Sequence, residues 1–151
     1  MITAWRICAK SKASAAFEGH GAAEYPGRWN PAGLRAVYAA ENRSLAALEV
    51  LVHADKEFLS ASSWSIIPVH FDPRLVSIPP RLPSDWKDVP APESTRALGG
   101  PWLRKLKSAV LRVPSVVTLG EHCYVLNPMH PDFAKIEIGK AEAFTFDFRA
   151  I

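Results

Sequence analysis

One segment constrains the fold of this chain more than any other, because it is apolar on almost every side and carries a single formal charge. Ser44 to Ala54 reads Ser-Leu-Ala-Ala-Leu-Glu-Val-Leu-Val-His-Ala, with the apolar spacing of a helix. Such a helix is expected in the core, and a carboxylate on it must be paired or must take part in function. The sequence therefore predicts a buried helix over 44–54, with Glu49 as a candidate functional residue.

The residues before this helix add an arginine and a tyrosine. The segment Gly27-Arg28-Trp29-Asn30-Pro31-Ala32-Gly33 is rich in turn-forming residues. The apolar run Ala36–Ala40 follows, and it is predicted to be a strand with Tyr38 at its centre. A fixed cation, a phenol and an acid therefore lie within one stretch of the chain.

Length and composition are those of one globular domain, 1–151. The chain has 151 residues, of which 48% are hydrophobic and 22% charged, which suits a single core and argues against disorder. No apolar run reaches the roughly eighteen residues of a membrane span, and the N-terminus lacks the pattern of a secretory signal. We therefore expect a cytoplasmic protein with no membrane partner and with Cys8 and Cys123 reduced.

The net charge of +3 permits an anionic ligand but does not indicate a nucleic-acid partner. The basic residues are scattered, and their densest group, Arg104-Lys105-x-Lys107, fits a helix end, where cations complement the helix dipole. The five histidines lack the spacing of a metal site, and His122-Cys123 followed by His130 is only a weak zinc signal. We expect no metal and no direct binding of nucleic acid.

Patterns of apolar alternation predict a mixed α+β fold. The predicted strands cover 3–8, 36–40, 64–71, 109–113, 123–126, 136–138 and 143–148. Because strands outnumber helices and do not alternate with them regularly, we expect a strongly bent mixed sheet with flanking helices.

Three other segments carry specific expectations. Pro68 should confine its strand to an edge, a bulge or a break. Residues 10–26 are predicted to be a polar loop. The proline-rich stretch 79–101 should cross the surface, where it could serve as a flap, and a helix over 93–106 should be interrupted at Gly99-Gly100-Pro101.

Several motifs, taken in order along the chain, resemble those of the RES domain family. They are Trp5-Arg6-Ile7, Gly27-Arg28-Trp29-Asn30-Pro31-x-Gly33, Val37-Tyr38, Leu45-Ala46-x-Leu48-Glu49-Val50-Leu51, Arg112-Val113-Pro114-Ser115 and Leu126-Asn127-Pro128-x-His130-Pro131-x-Phe133. The arginine, glutamate and serine that name the family correspond to Arg28, Glu49 and Ser115. Two positions depart from the family pattern: Gly99-Gly100, where Gly-Asp is common, and Cys123, where asparagine is common.

The resemblance implies the toxin of a type II toxin–antitoxin pair, with an ADP-ribosyltransferase-like fold. Such a toxin uses NAD as its substrate, has no permanently bound cofactor and cleaves the nicotinamide–ribose bond. The ADP-ribose then passes to phosphate, water or a protein. The implied partner is an antitoxin with an Xre-type helix-turn-helix, whose C-terminal segment blocks the toxin's pocket.

The chemistry of NAD cleavage suits the residues that carry the resemblance. NAD has a dianionic pyrophosphate, and its cleavage develops positive charge on the ribose. Arg28 forms forked hydrogen bonds and suits the pyrophosphate, and Arg6 on the first predicted strand is expected to be a second clamp. Glu49 would hydrogen-bond the ribose hydroxyls and stabilise the developing charge more strongly in the transition state than in the ground state.

Three further residues complete the predicted site. Tyr38 would offer a flat face to the nicotinamide ring. Ser115 would orient a ribose or phosphate oxygen, and Asn127 would contact the ligand through its amide, with His130 beside it. The predicted catalytic residues are Arg28, Tyr38 and Glu49, and the predicted NAD-binding residues are Arg6, Arg28, Tyr38, Ser115 and Asn127.

Other interpretations of the same residues stay open at this point. Arg28 could stack on Trp29 within a turn, and Glu49 could pair with His53 four residues later on the helix. A ribonuclease toxin could use His122 or His130 as acid–base groups, with Arg28 on the phosphate. The chain could also be a binding module without catalytic activity.

Overall fold

A computed structural model describes residues 1–150, which form an eight-stranded sheet flanked by four α-helices. The strands are Ile2–Ala9 (β1), Val37–Ala40 (β2), Trp64–Phe71 (β3), Val76–Ser77 (β4), Val110–Pro114 (β5), His122–Leu126 (β6), Glu137–Ile138 (β7) and Glu142–Phe144 (β8). The helices are His20–Glu24 (α1), Arg43–Leu51 (α2), Lys56–Ala61 (α3) and Glu93–Arg104 (α4). Short 3₁₀ segments cover Lys10–Ala15, Pro73–Leu75, Pro131–Lys135 and Phe148–Ala150.

The sheet is mixed and curled, which confirms the predicted fold class. Its strand order is β4-β5-β6-β2-β1-β3-β7, and β8 also pairs with β3. The β4–β5 pair is parallel, whereas the other pairs are antiparallel. The seven predicted strands correspond to seven of the observed ones, because apolar patterning is a local property of the sequence. The short strand β4 was not predicted, and β8 ends at Phe144 although a strand was predicted to continue to residue 148.

The two faces of the sheet carry separate apolar clusters. One face, here called the α2 face, carries Ile7, Tyr38 and Cys123 and packs against Leu45 and Ala46 of α2. The other, here called the back face, carries a cluster that includes Ala4, Cys8, Phe71 and Tyr124. Since successive side chains of a strand point to opposite faces, each strand residue is assigned to one of these two faces.

The helix α2 is not buried on all sides, contrary to the sequence expectation. It begins after Asn42, whose side chain caps the helix by accepting from the Leu45 amide at 2.8 Å. Only Leu45 and Ala46 are buried within it, while Leu48 is 40% exposed and Val52, just beyond its end, is 57% exposed. The helix lies on one face of the sheet, so a single stripe of its surface is covered.

Two breaks predicted from proline and glycine do not occur. The strand β3 is continuous and internal, because β8 pairs with residues 64–66 and β7 with residues 69–70, which leaves Pro68 in the gap between them. Helix α4 likewise runs unbroken through Gly99, Gly100 and Pro101. The segment 10–26, which was predicted to be a loop, contains a 3₁₀ segment and the helix α1. The helix α3 was not predicted from the sequence.

Close packing explains one of the two glycines in α4. A Cβ atom added to Gly99 would lie 1.7 Å from the carbonyl oxygen of Trp29, which is backbone and cannot move aside easily. At Gly100 the nearest atoms would be Nη2 of the flexible Arg104 side chain at 3.2 Å and Cγ of Pro31 at 3.3 Å, and neither is backbone. Gly99 therefore allows α4 to rest against the turn that contains Arg28.

The substitution Gly99→Ala is expected to lower the free energy of unfolding by about 3 kcal/mol, since α4 must move away from the Trp29 backbone. The matched control is Gly100→Ala, which should be neutral or slightly stabilising because alanine favours the helix. Urea denaturation of the two variants provides the comparison. Equal unfolding midpoints for both variants would contradict the close approach described for Gly99.

Candidate active site

The turn that contains Arg28 is built around the side chain of Asn30, which is completely buried. Its Oδ1 accepts from the Gly27 amide at 2.9 Å and from the Tyr38 hydroxyl at 2.7 Å, and its Nδ2 donates to the carbonyl oxygen of Ala22 at 2.8 Å. A buried amide with partners for both ends favours one conformation of the surrounding backbone. The turn is therefore fixed to strand β2.

Tyr38 anchors the same turn from the sheet. Its hydroxyl donates to Asn30 and accepts from the Trp29 amide at 3.1 Å. A Cβ atom at Gly27 would lie 2.7 Å from the Tyr38 ring, so this position requires glycine. Burial raises the pKa of Tyr38 well above its ordinary value. The phenol therefore stays protonated and holds the turn, whereas its predicted stacking with nicotinamide stays a prediction.

Arg28 is held by two distant segments. Its Nη1 donates to the carbonyl oxygens of Trp86 at 3.0 Å and Asp88 at 2.6 Å, both in the proline-rich stretch. Its own carbonyl oxygen accepts from Thr95 Oγ1 at 2.6 Å. Burial lowers the pKa of Arg28 and the Glu49 carboxylate raises it, so the two charged groups lie within electrostatic reach.

Glu49 lies near the end of α2 and combines fixed contacts with access to solvent. Its Oε1 accepts from Ser115 Oγ at 3.2 Å and from Cys123 Sγ at 3.5 Å. Its Oε2 lies 4.0 Å from His53 Nε2, and the carboxylate-bearing side chain is 30% exposed. Glu49 is therefore partnered, as expected, but a substrate can still reach one of its oxygens.

Ser115 and Cys123 reach Glu49 because β5 and β6 are neighbours. Ser115 directly follows β5, and Cys123 lies in β6 opposite Val113. Burial, followed by the Glu49 charge and the hydrogen bond to it, raises the pKa of the Cys123 thiol. The thiol therefore stays protonated and acts as a donor. Ser115 hydrogen-bonds the carboxylate, and its predicted contact with the ligand stays a prediction.

Comparison with known proteins now settles the family. The RES domain matches residues 3–147. This chain belongs to the RES domain family. The arginine, glutamate and serine that sequence analysis assigned to Arg28, Glu49 and Ser115 lie together in the RES fold described above.

Several relatives of this RES domain are toxins. A protein of Sphingobium sp. (strain YBL2) named "Prs ADP-ribosylating toxin" is 34% identical, over 97% of this chain and 95% of the relative. A "Toxin Res" of Yersinia enterocolitica is 36% identical, over 85% of this chain and 86% of the relative. A chain in the crystal structure of the M. tuberculosis MbcT–MbcA toxin–antitoxin complex has the same fold, with a TM-score of 0.70 and 20% identity over 95% of this chain and 84% of that one.

The structure does not bring Arg6 beside Arg28. Arg6 lies between Trp5 and Ile7 of the α2 face, so its side chain projects to the back face with Cys8. Its Nη1 donates to the carbonyl oxygen of Tyr38 at 3.0 Å, and its buried Nε has no hydrogen-bond partner among residues 1–150. The expectation of a clamp adjacent to Arg28 is therefore wrong, and a role for Arg6 in binding NAD stays a prediction.

Asn127 does not lie with the other predicted site residues. Its Nδ2 donates to the carbonyl oxygen of Leu103 at 3.1 Å, and its Oδ1 accepts from the Met129 amide at 3.0 Å. The residue is 1% exposed and follows the far end of β6 from Cys123. The structure therefore gives Asn127 a role in joining β6 to the end of α4, in place of the expected ligand contact.

The two histidines of the ribonuclease alternative lie apart. His122 begins β6 and lies near Glu41, with Nδ1 3.9 Å from the Glu41 carboxylate. His130 follows the other end of β6, and its Nδ1 accepts from the Asp132 amide at 2.9 Å. An acid–base pair must meet at one substrate bond, which this placement does not provide.

Two residues that support the site were missed by the sequence analysis. Asn30 was treated only as part of a turn motif, although an asparagine before proline in such a turn is a usable signal. Arg96 of α4 donates through Nε to the carbonyl oxygen of Gly27 at 3.2 Å. No motif marks it, because its relation to Gly27 arises from the fold.

Two negative findings apply to residues 1–150. No helix in this range is long and apolar enough to cross a membrane. No group of three or more His, Cys, Asp or Glu side chains in the same range is arranged to hold a metal ion.

The Cys123 thiol provides a test of the Glu49 geometry. Iodoacetamide reacts with thiolate, and the Glu49 charge suppresses thiolate formation at Cys123. We expect Glu49→Gln to increase the labelling rate of Cys123 about tenfold, while Cys8 on the back face is unaffected and serves as the internal control. The labelling rates of Cys123 and Cys8 are measured by peptide mass spectrometry after labelling of the native protein at fixed pH. A ratio of the two rates that is the same in wild type and Glu49→Gln would argue against the contact between Cys123 and Glu49.

Proposed function

We propose that this RES domain is the toxin of a toxin–antitoxin pair and that it degrades NAD by cleaving the bond between nicotinamide and ribose. The observation that carries the proposal is the Glu49 carboxylate, which is anchored on one oxygen, 30% exposed, and within electrostatic reach of Arg28. The names of the relatives support the same chemistry, because ADP-ribosylation takes ADP-ribose from NAD.

Glu49 would stabilise the charge that develops during cleavage. As the bond breaks, its electron pair leaves with nicotinamide and the ribose carbon becomes positive. The donors Ser115 and Cys123 hold Oε1, whereas no hydrogen-bond donor from residues 1–150 contacts Oε2. Oε2 is thus the oxygen that would face the ribose hydroxyls, and a carboxylate fixed beforehand needs little reorganisation in the transition state.

Arg28 would bind the pyrophosphate of the dinucleotide. Two backbone carbonyls hold Nη1, so the Nε and Nη2 edge of the guanidinium is oriented and available for an anion. A fixed anion site and a fixed carboxylate would place the ribose between them. The ADP-ribose then passes to phosphate, to water or to a protein side chain, each of which can attack the cationic ribose.

The proposed partner is an antitoxin with an Xre-type helix-turn-helix, as the family resemblance implies. The structural neighbour comes from a toxin–antitoxin complex, which supports an antitoxin as the partner of the present chain. We propose that this partner covers the Arg28 and Glu49 side chains. The toxin would act in the cytoplasm, where NAD is available.

Expression without the antitoxin should deplete cellular NAD and arrest growth. Arg28→Ala and Glu49→Ala should each reduce NAD consumption by about 10²- to 10³-fold, because each removes an electrostatic contribution to binding or to the transition state. Glu57→Ala, on the exposed surface of α3, is the matched control and should retain full activity. A folded Glu49→Ala protein that consumes NAD at the wild-type rate would overturn the proposal.

The products distinguish the possible acceptors and the alternative function. Purified protein is incubated with NAD in the presence and absence of inorganic phosphate, and the products are separated by chromatography. A phosphorylated ADP-ribose that forms only with phosphate identifies phosphate as the acceptor, whereas free ADP-ribose identifies water. Cleavage of added RNA with unchanged NAD would support the ribonuclease alternative and refute NAD degradation.

A further inference from the structure

A second arginine lies beside the turn that carries Arg28. Arg96 is on the first turns of α4, and its Nε donates to the carbonyl oxygen of Gly27, the residue before Arg28. Its neighbour Thr95 donates to the carbonyl oxygen of Arg28 itself. Helix α4 therefore contacts the backbone of both residues of the turn, and the Arg96 charge lies within electrostatic reach of the Arg28 side chain.

The remaining donors of the two guanidinium groups are free for a ligand. Within residues 1–150, the hydrogen bonds of Arg28 use Nη1 and those of Arg96 use Nε. This leaves Nε and Nη2 of Arg28, and Nη1 and Nη2 of Arg96, without protein acceptors. Because backbone carbonyls fix the other edge of each group, the free edges are already oriented before a ligand binds.

Among residues 1–150 the pair has no counter-ion in direct contact, although the Glu49 carboxylate lies within electrostatic reach of Arg28. Neither Arg28 nor Arg96 forms an ion pair with a carboxylate among residues 1–150. Burial lowers the pKa of Arg28, the Glu49 carboxylate raises it, and the Arg96 charge lowers it because the two positive charges repel each other. Both groups remain protonated, so a ligand with two negative charges would relieve the repulsion.

We infer that Arg96 is a second cationic residue of the site and that, with Arg28, it binds a diphosphate through the free guanidinium edges. This inference rests on the proposed function and deepens it, because the dinucleotide substrate carries a diphosphate between its two nucleosides. Arg96 thereby supplies the second clamp that sequence analysis had sought at Arg6. It is a binding residue and takes no part in breaking the glycosidic bond.

A purely structural role for Arg96 makes a different prediction. If Arg96 only fixed the Gly27 backbone, a neutral residue that still donates a hydrogen bond would replace it. Arg96→Gln keeps an N–H donor and removes the charge, and Arg96→Ala removes both. The matched control is Arg104→Gln, an exposed arginine near the other end of the same helix.

Binding of ADP, measured by calorimetry, tests the inference without any catalytic turnover. We expect Arg96→Gln to weaken ADP binding about tenfold, while Arg104→Gln binds like the wild type. Adenosine, which has no phosphate, should bind all variants equally. In steady-state assays Arg96→Gln should raise KM for NAD with little change in kcat, since binding is lost equally in the ground and transition states.

The outcomes separate this inference from the proposed function. Equal ADP affinity of wild type and Arg96→Gln, with unchanged melting temperatures, would overturn the role of Arg96 even if NAD is cleaved. Conversely, a wild type that binds ADP through Arg96 but does not release nicotinamide would refute NAD degradation and leave the diphosphate site intact. A fall in kcat with unchanged KM would also contradict a pure binding role.

Discussion

The buried amide of Asn30 is the interaction on which the site depends. It joins the Gly27 amide, the Tyr38 hydroxyl and the α1 backbone through one side chain that solvent does not reach. A buried amide left without partners costs roughly 1–3 kcal/mol, so the turn has a strong reason to keep this one conformation. Arg28 projects from this turn. Its backbone is therefore held in place by the Asn30 hydrogen bonds and by the contact with α4.

The environment of Glu49 shows how one carboxylate can be both fixed and usable. Donors from β5 and β6 hold one oxygen, and the lack of full burial leaves the other open. A fully buried acid would become protonated or would need a complete set of partners, and a fully exposed one would be neither oriented nor strong electrostatically. The sequence predicted that α2 would be buried on all sides, but one side of the helix is exposed. This exposure leaves the Glu49 carboxylate accessible to a cationic transition state.

The parts of the fold that depend on local sequence could be predicted. The positions of the strands β1 and β3 and the charged end of α4 each follow from neighbouring positions. Features that depend on distant contacts could not. The continuity of β3 through Pro68 depends on where β7 and β8 end, and the need for glycine at position 99 depends on the backbone of Trp29.

In the site too, local motifs could be predicted from the sequence, whereas contacts between distant residues could not. Motifs identified Arg28, Glu49 and Ser115, but the hydrogen bonds that hold the Arg28 and Glu49 side chains in place connect residues 58 to 74 positions apart. The roles of Arg6, Asn127 and Arg96 were therefore invisible in the sequence.

The most direct test of the central claim is the rate of nicotinamide release in a single turnover by wild type and by Glu49→Gln. Glutamine preserves the shape of the side chain and an oxygen for Ser115 and Cys123, and removes only the negative charge. The account predicts a rate lower by about 10²-fold or more, with NAD still bound by the variant. Release at the wild-type rate from Glu49→Gln would contradict it.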